Sequence, residues 1–483
     1  MLDITVKDIV KAVGGNLICG SGSQKIEHIS IDSRSSQGND IFVPIIGGKV
    51  DAHGFIGQAL TAGCAATLTS RHQTEREIGD VIKEYPLAGQ KAWIAVDDTV
   101  RALHEIGRLC RSRVPIPAVG VTGSVGKTTT REMIAAALSA ERKVYKTGKN
   151  YNSSIGLPIT LSEMSNDYDV AVLELGMNVP GELGTIADIA DIDAAVLTNI
   201  GVAHIEYFKT QEAICREKYT ITKGFHKDVV HTGHDGRTMG PEKMLFINGD
   251  DPYLMKNRDL TGYPYRMYGT GAQCDYRAEH IRMENGRYCF DFVYAHGRVP
   301  ITLSVLGHHN VLNAAGALAV AEYFGVDVEA AAQALSSFTG FQNRLQICTV
   351  NGYTVIDDTY NASPASMEAG LKVLEGYDAP GRKIAVLGDM FELGEKSDVY
   401  HREVGEFAAG LTFDELLLIG DHAWQIGRAM KEKKSSILVR RMESRAAAAK
   451  YLKDTLGSGD VVYLKASNGM KLKEIAAALI QEK

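Results

Sequence analysis

The segment that most constrains this chain is a glycine-rich turn placed between a predicted strand and a predicted helix. It lies in AVGVTGSVGKTTTREM, residues 118–133. Glycines let backbone N–H groups turn toward phosphate oxygens, and the N-terminus of the following helix adds a partial positive charge. We therefore expect a phosphate-binding loop in which Lys127 reaches the β- and γ-phosphates of a nucleotide and Thr128 ligates Mg²⁺. Val121 stands where the strict pattern has glycine, which indicates a shorter loop than the commonest kind.

Apolar runs alternate with helical patterns along the chain, which indicates an α/β fold. The runs PAVGV, DVAVLEL and DAAVLTNI predict buried parallel strands, with helices on both faces of the sheet. At roughly 150 residues per domain, the 483 residues suggest three domains. We predict a small N-terminal α/β domain over 1–98, a central P-loop domain with a parallel sheet over 99–336, and a Rossmann-like α/β domain over 337–483.

Composition and charge exclude several classes of function. The formal net charge of −7 argues against a nucleic-acid-binding surface, which usually carries a basic excess. No apolar run reaches the roughly 18 residues that a membrane span needs, and the N-terminal segment lacks the apolar core of a signal peptide. Seven cysteines without a C-x-x-C pair suit free thiols in a reducing compartment. We expect a cytoplasmic protein that acts as a monomer and has no membrane span.

Two polar side chains follow strands at the edge where the phosphate-binding loop is expected. Glu174 ends the strand in AVLELGMN, and His204 follows the strand in AAVLTNI. Ligands of open α/β sheets bind at the carboxyl ends of strands, and a buried acid must be paired or ligate a cation. Mg²⁺ prefers oxygen ligands, and a histidine ligand also suits Mn²⁺. From spacing alone, a metal site and a structural histidine beside a paired acid are equally consistent with this pattern.

Eight segments, in this order along the chain and beginning with the phosphate-binding loop, carry a wider resemblance. They are TGSVGKTTT, NYNSSIGLP, LELGMNVPGEL, LTNIGVAHIEYF, GHHNVLNAAGA, NRLQ, IDDTYNASPASM and LGDMFELG. On these motifs essentially the whole chain resembles the Mur ligases, and the last two motifs resemble the member of that family that adds a dipeptide. The resemblance implies an ATP-dependent ligase of peptidoglycan precursor synthesis. Its implied partners are UDP-N-acetylmuramoyl-tripeptide and D-Ala-D-Ala, joined through an acyl phosphate.

The resemblance also implies an ATP site. Adenine would bind Asn310 and Asn313, whose spacing of three places both amides on one helix face. Arg344 would reach the γ-phosphate and Asp358 the ribose. Because Arg344 begins the third domain, it contacts ATP only if that domain closes on the central one. The implied ATP-binding residues are Gly123, Ser124, Val125, Gly126, Lys127, Thr128, Thr129, Asn310, Asn313, Arg344 and Asp358.

A catalytic and metal-binding set follows from the same resemblance. The implied catalytic residues are Lys127, Glu174, His204 and Lys218. The implied metal ligands, for Mg²⁺ or Mn²⁺, are Thr128, Glu174, His204 and a carbamylated Lys218. Carbamylation would turn an ammonium that repels the cation into an anion with oxygen ligands. Without the resemblance, Lys218 would be interpreted as a solvated helix lysine.

The implied substrate contacts are spread over the three domains. They are Ser33, Arg34, Asn150, Asn152, Ser153, Tyr360, Asn361, Ser467 and Asn468. Ser33 and Arg34 match uridine-nucleotide contacts, and the loop that contains Asn152 matches the one that meets the muramoyl peptide. The family commonly has asparagine where this chain has Ser153 and Ser363, so the identity of the incoming dipeptide stays open.

Two other functions remain compatible with the sequence. One is a Mur-family ligase that uses a different amine acceptor or carboxylate substrate. The other is a P-loop NTPase whose hydrolysis drives a switch or motor, which predicts ATP turnover without an acceptor amine.

Overall fold

The computed structural model describes residues 1, 3–148, 150–226, 229, 231–233, 236–240, 242–284 and 286–481. Within these ranges the strands form three main sheets, one in each third of the chain. The predicted α/β class with three domains is confirmed. No helix in the described ranges is long and apolar enough to cross a membrane.

The N-terminal part is a five-stranded sheet with helices, of order β2-β7-β6-β5-β4, beside a two-stranded β1–β3 pair. Its strands are β1 Ile4–Thr5, β2 Asn16–Cys19, β3 Lys25–Ile26, β4 His28–Ser30, β5 Asp40–Phe42, β6 Ala66–Thr69 and β7 Ala92–Ala95. Its helices are α1 Val6–Val13, α2 Ile56–Thr61 and α3 Glu75–Glu84. The helix α4, Thr99–Ser112, packs on α1 and joins this part to the central domain.

The central part is a nine-stranded sheet of order β18-β17-β16-β15-β14-β11-β8-β10-β9, with a separate β12–β13 hairpin. Its strands are β8 Ala118–Thr122, β9 Val144–Lys146, β10 Val170–Glu174, β11 Ala194–Leu197, β12 His231–Thr232, β13 Thr238–Met239, β14 Met244–Asn248, β15 Tyr265–Gly269, β16 Tyr276–Glu284, β17 Arg287–Tyr294 and β18 Gly297–Leu303. Its helices are α5 Lys127–Leu138, α6 Gly156–Ser162, α7 Glu182–Ala190, α8 Ile205–Phe208, α9 Gln211–Tyr219, α10 Pro252–Lys256, α11 His309–Tyr323 and α12 Val328–Ser336.

The central sheet is covered on both faces, as its apolar strands predict. Val119 and Val121 of β8 pack in the layer of α5 and α11, whereas Ala118 belongs to the layer of α4, α6 and α7. Strands β16, β17 and β18 continue this parallel sheet as an antiparallel meander, which the sequence pattern does not predict. The parallel strands end at the edge that carries the phosphate-binding loop.

The C-terminal part is a six-stranded sheet of order β19-β20-β24-β21-β22-β23, parallel except for the edge strand β19. Its strands are β19 Gln346–Val350, β20 Tyr353–Asp357, β21 Lys383–Gly388, β22 Glu415–Ile419, β23 Leu438–Met442 and β24 Val461–Lys465. Its helices are α13 Pro364–Gly376, α14 Ser397–Ala408, α15 Trp424–Glu432, α16 Arg445–Thr455 and α17 Lys473–Ile480.

Candidate active site

The glycine-rich turn leaves β8 and enters α5 at Lys127, which is the geometry expected of a phosphate-binding loop. Gly123 is required there because a Cβ would lie 1.8 Å from Thr198 Oγ1. Gly126 takes a left-handed conformation, with φ of 86°, which glycine adopts without a steric penalty. The residues at the end of β11 hold the loop from the side. Asn199 Oδ1 accepts from the Val125 N–H and Asn199 Nδ2 donates to the Val125 carbonyl, both at 2.9 Å.

The Lys127 side chain folds back over the phosphate-binding loop. Its Nζ donates to the Gly123 carbonyl at 2.8 Å. Burial lowers the pKa of Lys127, and the attraction of the Glu174 carboxylate opposes that shift. An ammonium held here by backbone and by a nearby acid is placed to meet phosphate oxygens carried by the loop.

A cavity of about 600 Å³ opens above the loop, between the central and C-terminal domains. Most of the predicted site residues lie in its lining. They are Ser124, Val125, Gly126, Lys127, Thr128, Thr129, Asn152, Ser153, Glu174, His204, Asn310, Asn313, Arg344, Asp358, Tyr360 and Asn361. A chamber of this size suits a nucleotide-sized ligand.

Glu174, at the end of β10, is buried and fully paired. Its Oε1 accepts from Asn152 Nδ2 at 2.7 Å, and its Oε2 accepts from Arg131 Nη1 at 3.2 Å. Arg131 is also buried and pairs with Glu132. These partners compensate the cost of burying the carboxylate. Arg131 was not predicted as a site residue, although it lies one turn after Lys127 on the helix that follows the loop.

Lys218 is buried on α9, so its interpretation as a solvated helix lysine is wrong. Its side chain is 2% exposed, and its Nζ lies 3.8 Å from Met177 Sδ. Desolvation, with a contribution from the nearby Lys127, moves the pKa of Lys218 well below its usual range. A lowered pKa favours the uncharged amine, which is the nucleophilic form that reacts with CO₂. Lys218 lies behind Met177 rather than in the cavity lining itself.

Arg344 of the C-terminal domain reaches the phosphate-binding loop. Its Nη2 donates to Thr128 Oγ1 at 2.9 Å, and its guanidinium lies 4.0 Å from the centre of the Tyr360 ring. The structure therefore has the C-terminal domain closed onto the loop, the arrangement on which the predicted role of Arg344 depends.

Behind Arg344, a second polar pair lines the C-terminal side of the cavity. Asp358 Oδ2 accepts from Lys465 Nζ at 2.6 Å and from the Tyr463 hydroxyl at 3.1 Å. Burial lowers the pKa of Lys465, and burial also lowers the pKa of the neighbouring His309 to about 4. A neutral imidazole and a paired lysine therefore face the predicted ribose position. Neither Lys465 nor His309 was singled out from the sequence.

The predicted pair of asparagines shares one face of α11. Asn313 Nδ2 donates to Asn310 Oδ1 at 2.8 Å, and the Thr130 hydroxyl donates to Asn313 Oδ1 at 3.1 Å. The second bond ties α11 to the loop helix α5. The asparagines thus stand beside the phosphate-binding loop, and their contact with adenine stays a prediction.

Several predicted residues lie away from this cavity. Ser33 contacts Gln58 at 3.4 Å in the N-terminal domain, and the exposed Arg34 pairs with Asp32 at 2.7 Å. Ser467 is buried and accepts from a backbone N–H of the C-terminal domain. The residues absent from the cavity lining are Ser33, Arg34, Gly123, Asn150, Lys218, Ser467 and Asn468.

Part of the predicted metal set shares the cavity, namely Thr128, Glu174 and His204. Within the described ranges, no group of three or more His, Cys, Asp and Glu side chains converges as a metal site. A hydroxyl, a carboxylate and an imidazole in one cavity lining are nevertheless ligand types that suit a hard divalent cation bound together with phosphate, and Lys218 lies next to the lining residue Met177. His204 is open to the cavity and its Nδ1 side faces Glu392.

Fold and site together define a P-loop nucleotide-binding protein of three α/β domains, in which the third domain reaches the phosphate site. Three family models match the chain. They are the Mur ligase family, catalytic domain over residues 25–110, the Mur ligase middle domain over 121–321, and the Mur ligase, glutamate ligase domain over 343–468. The chain belongs to the Mur ligase family.

Individual relatives cover the whole chain. A UDP-N-acetylmuramoyl-tripeptide–D-alanyl-D-alanine ligase of Bacillus subtilis (strain 168) is 33% identical over 484 residues, which is 100% of this chain and 99% of that protein. The crystal structure of MurF from Acinetobacter baumannii matches with a TM-score of 0.85 at 26% identity and covers 99% of each chain. MurF ligase from Thermotoga maritima, in complex with ADP, matches with a TM-score of 0.78 at 28% identity over 94% of this chain and 96% of that one.

Proposed function

We propose that this chain is the ATP-dependent ligase that joins D-Ala-D-Ala to UDP-N-acetylmuramoyl-tripeptide, acting as a monomer in the cytoplasm. One observation carries the proposal: Arg344 of the C-terminal domain donates to Thr128 of the phosphate-binding loop at 2.9 Å. The contact encloses a cavity lined by both domains, as a reaction between ATP and two further substrates requires. The full-length match to a relative with this name supports the choice of substrates.

The reaction proceeds in two displacements. The terminal carboxylate of the nucleotide-linked peptide attacks the γ-phosphorus, and the bond from that phosphorus to the bridging oxygen breaks as ADP leaves. The amine of the dipeptide then attacks the acyl carbon of the acyl phosphate. The tetrahedral intermediate collapses as the C–O bond to phosphate breaks, an amide forms, and the amine loses a proton.

The residues of this chain bind the substrates and neutralise negative charge during both steps. Backbone N–H groups of the loop and Lys127 hold the phosphates, and Arg344 adds a guanidinium from the opposite wall. Asn310 and Asn313 hold the adenine and Asp358 the ribose. Closure of the C-terminal domain excludes water, which would otherwise hydrolyse the acyl phosphate.

A divalent cation would be held by Thr128, Glu174, His204 and carbamylated Lys218. When bound, Mg²⁺ neutralises the negative charge that builds up on the transferring phosphoryl group. Arg131 and Asn152 keep the Glu174 carboxylate in place at the cavity wall. The burial that lowers the pKa of Lys218 favours the uncharged amine that accepts CO₂, and this supports its carbamylation.

The remaining substrate contacts are proposed from their positions. Asn152 and Ser153 meet the muramoyl peptide beside the loop, while Tyr360 and Asn361 lie on the opposite wall of the same cavity. Asn150, Ser467 and Asn468 complete this set outside the lining, and Ser33 with Arg34 would bind the uridine nucleotide on the N-terminal domain.

Phosphate release from ATP tests the proposal. We expect phosphate release that requires both UDP-N-acetylmuramoyl-tripeptide and D-Ala-D-Ala. The variant Lys127→Ala should abolish this release, whereas the variant Lys11→Ala, at an exposed lysine, should retain it. No release above background by the folded protein would refute the assignment. Release without any amine would instead identify an NTPase, and release with other amines alone, in an acceptor panel, would identify a ligase of different specificity.

A further inference from the structure

One contact between the central and C-terminal domains involves the predicted metal ligand His204. The segment DMFELG, residues 389–394, follows β21 and packs on the turn that begins α8. There, Glu392 Oε2 lies 2.5 Å from His204 Nδ1, and the Glu206 N–H donates to the Glu392 carbonyl at 3.3 Å. A Cβ on Gly394 would lie only 3.3 Å from Glu206 Cα, so the two backbones are in close contact.

Each partner in this contact is held by its own domain. His204 and Glu392 have left-handed backbones, with φ of 63° and 62°. Residues other than glycine keep this conformation only where the surrounding structure stabilises it, and such residues concentrate at functional sites. His401 Nε2 and Ser467 Oγ accept from the two backbone N–H groups that precede Glu392, at 3.0 and 2.8 Å. The carboxylate is therefore presented from a fixed loop.

The contact occupies one side of the imidazole. His204 Nδ1 is buried, and the Glu392 carboxylate is its close polar neighbour, although the two atoms do not have the alignment of a regular hydrogen bond. His204 also lines the cavity, and its second ring nitrogen, Nε2, is the one that Glu392 does not contact. Histidines that ligate metals commonly present their second ring nitrogen to a carboxylate, which sets the ring orientation and the tautomer.

We propose that Glu392 is a positioning residue that orients His204 as a metal ligand from the C-terminal domain. The inference rests on the proposed metal-dependent ligation. With this role for Glu392, the metal site is complete only in the closed arrangement of the domains, in which Arg344 also reaches Thr128. Closure would then assemble the γ-phosphate contact and the metal ligand together, so that phosphoryl transfer begins only after the third domain has docked.

Binding of Mn²⁺ to the full chain, followed by its electron paramagnetic resonance in the presence of a non-hydrolysable ATP analogue, tests this role. Loss of a carboxylate behind a ligating histidine typically weakens metal binding about 10- to 100-fold. We expect Glu392→Gln and His204→Gln each to weaken Mn²⁺ binding about 10-fold or more. The double variant should bind no more weakly than His204→Gln alone, because Glu392 acts through that ring. Glu395→Gln, which removes a nearby exposed acid, should bind as the wild type.

Two results would overturn the role of Glu392. One is wild-type Mn²⁺ affinity in Glu392→Gln. The other is an additive loss in the double variant, because the effect would then come from the missing charge and not from the ring. The ligation assay separates this inference from the proposed function. Wild-type protein that binds Mn²⁺ in the expected pattern but releases no phosphate contradicts the proposed function alone, whereas wild-type ligation with normal Mn²⁺ binding by Glu392→Gln contradicts the inference alone.

Discussion

Replacing Arg131 with methionine probes the charge arrangement beneath the phosphate site. Arg131 is buried on α5, pairs with Glu174 at 3.2 Å, and pairs with Glu132. Methionine keeps much of the length of the side chain but removes the cation. The two carboxylates, both buried, then lose their shared partner.

The expected loss of stability follows from these contacts. Breaking a buried ion pair by removing one partner costs about 3–5 kcal/mol, because the remaining charge is uncompensated. Asn152 still donates to Glu174 and Lys146 still pairs with Glu132, so we expect the lower end, about 3 kcal/mol. For a unit of this size, with about 2–4 °C of melting temperature per kcal/mol, the loss corresponds to roughly 6–12 °C.

Thermal unfolding followed by far-ultraviolet circular dichroism measures this loss. Tryptophan fluorescence is unsuitable because both tryptophans lie outside the central domain. Trp93 lies in β7 of the N-terminal sheet, and Trp424 begins α15 of the C-terminal domain. Arg108→Met is the matched control, since Arg108 is about one-third exposed and pairs with Glu105 and Asp188. Partly exposed pairs contribute at most about 1 kcal/mol, so its melting temperature should fall by only a few degrees.

A second variant separates lost charge pairing from lost packing. The double variant Arg131→Met with Glu174→Gln lacks one of the two uncompensated charges. We therefore expect it to recover part of the melting temperature that Arg131→Met loses. If Arg131→Met lowers the melting temperature no more than Arg108→Met, or if the double variant is no more stable than the single one, the electrostatic reasoning is wrong.

Three further outcomes are expected. Gly123→Ala should weaken ATP binding about 10-fold or more in a nucleotide titration, because its Cβ would lie 1.8 Å from Thr198 Oγ1, whereas Gly79→Ala, with open space around it, should not. Arg344→Lys should lower kcat about 100-fold in steady-state phosphate release with a smaller change in KM for ATP, since lysine loses the planar fork and the stacking on Tyr360; an unchanged kcat would contradict this. Lys218→Met should abolish ligation yet raise the melting temperature, because burial in the folded protein disfavours the charged form of the wild-type amine. The pKa of Lys218 is low in the folded state and ordinary in the unfolded state, so wild-type stability falls as pH falls between those two values. The gain should therefore be larger at pH 6 than at pH 9, and a gain that grew with pH would contradict the burial argument.

Much of what could be predicted about this protein from its sequence came from local patterns. A glycine-rich turn between a strand and a helix depends only on neighbouring residues, so the phosphate-binding loop at Gly123–Thr129 could be predicted directly from the sequence. The helical spacing of Asn310 and Asn313 is likewise a local property. The acid at the end of β10 and the histidine after β11 could be placed on one edge because parallel strands end there.

Other parts of the site depend on contacts between residues far apart in the chain. Nothing local distinguishes the buried Lys218 from a solvated helix lysine, since its burial comes from packing against the turn that carries Met177. The pairing of Arg131 with Glu174 joins two elements 43 residues apart. The antiparallel continuation of the central sheet was also missed, because its strands resemble those of any sheet edge.

The sequence alone determined the phosphate-binding loop, the α/β class and the edge of the sheet where the chemistry lies, because backbone geometry and hydrophobic periodicity act over short distances. Tertiary structure decided which charges are compensated and which domain completes the site. The approach of Arg344 to Thr128 spans 216 residues, and Glu392 meets His204 across a domain boundary. Such contacts depend on how separately folded sheets dock, and docking is set by the shapes of whole surfaces rather than by any one segment.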